Sequence, residues 1–219
     1  MDQKLVAIWQ DPAKELSNLV LNESLARSHM PVLEKVPLIS LAVAAWKTGH
    51  AWGDYLLAKK VCAFYEGWEH LTAKERHEIF EKFQRRPRDF VEKLLGLLST
   101  QEDLSKCRLI GLLCAQYLQA TLQRSVFYDL IETIDQLSVS DIAKFAQLAR
   151  LSIFLPQQKL TERYTYLFIG RGLLETDKPP LGTYDQEQSA TMYKLTELGQ
   201  TLAKAAKTAG FLPQEGRRR

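Results

Sequence analysis

The chain has 219 residues, 46% of them hydrophobic and 25% charged, with a formal net charge of +3 at pH 7. This is the balance of a globular protein that folds unaided around one sizeable core or two modest ones. So small a net charge excludes a global pull on nucleic acid or anionic membrane, and any such binding must come from a local patch. The three cysteines, Cys62, Cys107 and Cys114, stand in helical, apolar context without a CxxC, which predicts reduced, buried thiols.

The opening segment MDQKLVAIWQDP has neither a basic leader nor a long apolar core. The longest apolar run, residues 37–46, is about half the roughly 20 residues that span a bilayer. A cytoplasmic protein without a membrane partner is expected.

Asp11 and Pro12 suit an N-cap and first helical turn, predicting a helix over 11–27 that carries Leu16, Leu19 and Val20. Pro31 and Pro37 punctuate the next stretch, because a residue before proline is biased away from helix. Residues 37–66 read as one long helix, or two broken near Gly49 and Gly53. This stretch is apolar almost all round through Trp46 and then carries the stripe Trp52, Tyr55, Leu56, Lys59, Lys60, Ala63 and Phe64. Such a helix must be buried, so it is the expected spine of the fold. Its aromatic residues, with Trp68, read as core.

Thr72 and Glu75 form a capping box for a helix to about residue 85, and KFQRRPRD stops it. A short helix over about 89–99 turns Phe90, Val91, Leu94, Leu95, Leu97 and Leu98 inward. Thr100 with Asp103 reads as a second box-like start. The helix after it shows a broad apolar face from Leu104 to Leu118, wide enough for a central helix lying against the spine. Helices over 123–137 and 141–150 come next, the latter capped by Ser138 or Ser140.

Beyond Leu155 the pattern changes. Pro156 is expected to begin a helix over 157–169 that carries Leu160, Tyr164, Leu167 and Phe168 and stops at Gly170 and Gly172. The run TDKPPLGTYDQEQSA is a loop, ATMYKLT a short strand, and Thr196 with Gly199 introduces a last helix over 197–209. No strand is expected ahead of the first glycine turn. The expected organisation is a mainly α multi-helix array over 1–137, a smaller module over 138–212 and a disordered basic tail over 213–219.

The residues GRGLLE, an irregular loop, and YKLTELGQTLAKA resemble the wing and final helix of winged-helix proteins. The resemblance covers about the last third of the chain. It implies a winged-helix-like module with a small β-wing, degenerate here because the residues between 142 and 172 supply only one helix after the first, so that the helix-turn-helix is shortened or absent. DNA recognition by such a module would need cations on the helix and wing. The helix offers Lys159, Arg163 and Arg171, while Lys178 in the loop faces Asp177, Asp185 and Glu187. A module used for packing or protein contact is therefore the leading expectation, and a DNA-binding transcriptional regulator is the alternative.

Arg85, Arg86 and Arg88 gather around Pro87 and are candidates, with Lys159, Arg163 and Arg171, for nucleic-acid or phosphate contact. The histidines His29, His50, His70 and His77 lack metal-ligand spacing, and no Gly-rich phosphate loop or nucleophile elbow occurs. No metal, cofactor or catalytic residue is expected. The order of spine, ERHEIFEKF helix, EDLSKCRLIGLLCAQYL helix and wing-like end is also similar to that of small uncharacterised bacterial proteins of prophages, plasmids and defence loci. That similarity implies a non-catalytic adaptor, sensor or regulatory subunit that recognises another protein.

Overall fold

A computed structural model describes residues 51–156, 159–177 and 192–211. The expected helix at 11–27, the spine before Ala51, the loop at 178–191 and the basic tail lie outside the described residues. Eight helices and three short strands are found among them. They fall into two compact units, one ending at Leu122 and the other beginning at Gln123.

The first unit holds α1 (Ala51–Glu66), α2 (Ala73–Gln84), α3 (Arg88–Thr100) and α4 (Leu104–Leu118). Helix α1 is continuous through Gly53, and it packs most extensively on α4, the apolar stripe of the one meeting the broad apolar face of the other. The two backbones touch. A Cβ built at Gly111 would lie 1.8 Å from the Phe64 carbonyl oxygen, so only glycine permits this approach. Trp68 Nε1 donates to the Gly111 carbonyl at 2.9 Å, and the Phe64, Trp68 and Phe83 rings pack edge to face or tilted around that contact. Phe64, Tyr65 and Trp68 are core, as their spacing predicts, and Cys107 and Cys114 are buried in the same unit.

The caps divide instructively. At Thr72 the hydroxyl accepts from Glu75 N while the Glu75 carboxylate accepts from Thr72 N, the expected box. Thr100 is no cap. It is the last residue of α3, its hydroxyl donating to Leu97 O at 2.8 Å, and Gln101 then turns extended. Asp103 alone caps α4, accepting from Ser105 N at 2.6 Å.

The second unit holds α5 (Arg124–Gln136), α6 (Val139–Leu151), β1 (Phe154–Pro156), α7 (Glu162–Gly170), β2 (Leu174–Asp177), β3 (Met192–Leu195) and α8 (Glu197–Thr208). It starts at Gln123, ahead of the expected division after Leu137, and α5, whose Phe127, Leu130 and Ile134 are buried, packs on α8. Ser138 caps α6 in a box with Asp141.

The expected helix start at Pro156 is corrected. Phe154–Pro156 is a strand, pairing antiparallel with β3 in the register Phe154↔Lys194, Leu155↔Tyr193 and Pro156↔Met192. Proline is tolerated there because β1 is an edge strand in the order β1-β3-β2. Leu155, Leu174, Tyr193 and Leu195 form the buried face of the sheet. A strand therefore does precede the first glycine turn. Gly199, on α8, sits where a Cβ would be 2.2 Å from the Leu173 carbonyl oxygen, which lets the start of α8 close onto that turn. Thr196 caps α8 as expected and its hydroxyl donates to Gly172 O at 2.6 Å.

Candidate interaction surface

In the first unit, the arginine cluster lies where α2 ends and α3 begins, and each of its guanidinium groups has a partner. Arg85 pairs with Glu81 at 3.5 Å and Arg88 with Glu92 at 2.6 Å, both one helical turn away. Arg86 is half-buried and stacks on the Tyr117 ring at 4.7 Å and the Phe90 ring at 5.8 Å. Its guanidinium thus serves as a cation on aromatic faces, fixing the α2–α3 corner to α4. With Lys82 the corner holds four cations against Glu81, Asp89 and Glu92, so its local charge is close to neutral.

In the second unit the candidates separate. Lys159 is exposed but lies ahead of α7 in a short turn, because the helix begins only at Glu162 after the extended Thr161. It is not a residue of the helix face on which the sequence places it. Arg163 and Arg171 do share a site. Both line an open depression of about 640 Å³, together with Asp141, Tyr166, Leu167 and Gly170. None of Arg85, Arg86 and Arg88 is among the residues lining it.

The depression runs along α7 beside Asp141 in the first turn of α6. Helix α7 is anchored by Phe168, which is fully buried against Phe145 at 5.0 Å between ring centroids and stacked with Tyr164 at 5.4 Å. That fixes which residues of α7 face outward. Arg163 donates to Asp141 Oδ1 at 3.3 Å, and Asp141 Oδ2 accepts from Ser138 Oγ at 2.6 Å. Arg171 donates to Gln136 Oε1 at the end of α5. Tyr166 and Ile169, three residues apart on the free face, are 69% and 37% exposed.

The roles of Asp141 and Gln136 are not visible in the sequence, since they stand far from the arginines along the chain. Tyr166 and Ile169 do leave a signal. They fall off the Tyr164, Leu167 and Phe168 stripe that the sequence assigns to the core.

His70 and His77 are exposed, and His29 and His50 lie outside the described residues. Among the described residues no group of three His, Cys, Asp or Glu side chains could hold a metal ion, and no helix is long and apolar enough to cross a membrane. Burial, before any charge effect, pushes the Cys107 thiol up to about 11 and raises the Cys114 thiol and the Tyr65 phenol. Thiols so raised are poor nucleophiles at neutral pH. Comparisons with protein families, with curated proteins and with solved structures return no match.

Proposed function

We propose that this chain acts by contact with another protein and that the residues from α6 onward form a degenerate winged-helix-like module serving that contact. The order of helix, strand, helix, two strands and helix supports the module reading, as does the β1-β3-β2 antiparallel sheet. One observation carries the choice of protein over nucleic acid: the free face of α7 presents Tyr166 and Ile169. An exposed aromatic with an aliphatic neighbour is what a protein interface uses as an anchor. A base-reading helix would instead offer polar forks to base edges and cations to phosphates. Here Glu162 is also exposed on α7, and Arg163 is drawn to Asp141.

The role is non-catalytic, that of an adaptor or sensor subunit, which fits the mobile-element or defence context implied by the sequence resemblance. The alternative, a DNA-binding regulator with α7 as its reading helix, draws on Arg163 and Arg171. Titration of a labelled mixed-sequence duplex with the full chain at low salt separates them. The protein-contact reading predicts no saturable binding. It is contradicted by binding whose logarithm falls against log salt with a slope of about −3 or steeper and which Arg163→Gln and Arg171→Gln weaken.

A further inference from the structure

We propose that the depression beside α7 is a docking groove for an acidic segment of the partner protein. This rests on the protein-contact reading and names the chemistry the partner must bring. Arg163 and Arg171 stand eight residues apart on and just beyond α7, about 12 Å along a helix axis at 1.5 Å per residue. Asp141 lines the depression and pairs with Arg163 at 3.3 Å while accepting from Ser138, so it orients that guanidinium and offsets part of its charge, which leaves Arg171 as the stronger cation of the two. Gln136 holds Arg171 through a neutral amide oxygen, which orients the guanidinium without cancelling its charge.

A guanidinium has five N–H donors, so those not turned inward can grip a carboxylate side-on. Leu167 and Gly170 line the depression with the two arginines, and a Cβ at Gly170 would meet nothing within 4 Å. Tyr166 lines the same depression. The complement of this surface is a pair of carboxylates about 12 Å apart with an apolar side chain between them. An extended chain reaches that separation over about four residues at roughly 3.3 Å each. A phosphate backbone would match the two arginines but would leave Tyr166 and Leu167, which line the same depression, unused.

The test is fluorescence anisotropy on the full chain with three labelled probes: a peptide with two glutamates four residues apart flanking apolar residues, the same peptide with glutamine for glutamate, and a mixed-sequence DNA duplex. The groove predicts saturable binding of the glutamate peptide and about tenfold or more weaker binding of the glutamine peptide, the scale of a lost charge-assisted bond. Arg171→Gln and Tyr166→Ala, both at positions outside the core, should weaken the glutamate peptide similarly, while Arg85→Gln in the first unit leaves it unchanged. Absence of peptide binding, equal binding of the two peptides, or binding indifferent to Arg171→Gln and Tyr166→Ala overturns the groove and leaves the protein-contact reading standing. Duplex binding lost in those same variants overturns both.

Discussion

At Gly111 there is no room for a methyl group, since the Phe64 carbonyl oxygen occupies the place its Cβ would need. Gly111→Ala must push α1 and α4 apart and strain the Trp68 indole bond to Gly111 O; we predict a loss of about 3 kcal/mol or more, read from the urea midpoint. Gly96 lies inside α3 with nothing within 4 Å of its missing Cβ, so Gly96→Ala should stabilise by about 0.5–1 kcal/mol. The buried thiols make a second statement at this scale. Burial holds Cys107 protonated up to about pH 11, whereas in the unfolded chain it ionises near 9.0. Its contribution to stability is therefore complete below pH 9 and is lost as pH rises toward 11, because over that range the unfolded state binds fewer protons. The urea midpoint should fall from pH 9 to pH 11, and fall less in Cys107→Ala. Cys114 and Tyr65 act with the same sign.

Among the elements, α6 depends on its start. Ser138 caps it and also holds Asp141, the residue that orients Arg163, so Ser138→Ala should cost about 1 kcal/mol and loosen the rim of the groove. Thermal unfolding measures the first effect, and the acidic-peptide titration the second. Caps of this kind are legible in sequence because donor and acceptor lie three residues apart: spacing alone points to Thr72 and Thr196, and it leaves Ser138 beside Ser140 until the structure shows the box with Asp141. Thr100 misleads because its hydroxyl can equally bond back within the helix it ends. Phe154–Pro156 misleads because three residues are too few to show a period of two, and the partner that makes them a strand, Met192–Leu195, lies far along the chain. The site obeys the same rule. Its arginines are visible as charges, but Asp141 is 22 residues from Arg163 and Gln136 is 35 from Arg171, separations at which no local pattern speaks.

For the whole molecule, the sequence distinguishes a helical body from a mixed module, and the contacts place α5 with the module. Phe127, Leu130 and Ile134 of α5 are buried in the unit that contains α8, whose Leu202, Ala205 and Ala206 are buried too. A chain beginning at Gln123 should keep near-UV ellipticity and a cooperative urea transition; one beginning at residue 138 removes α5, exposes apolar surface, and should lose both. The proposed function requires that the free face of α7 meet a polypeptide. The most direct measurement places a photo-cross-linking amino acid at Tyr166 in cells of the native host, with Lys204 on α8 as the control position, and identifies what is trapped. A discrete polypeptide adduct is expected at position 166, absent at 204 and reduced by Arg171→Gln. Trapped nucleic acid, or the same adducts at both positions, would contradict it.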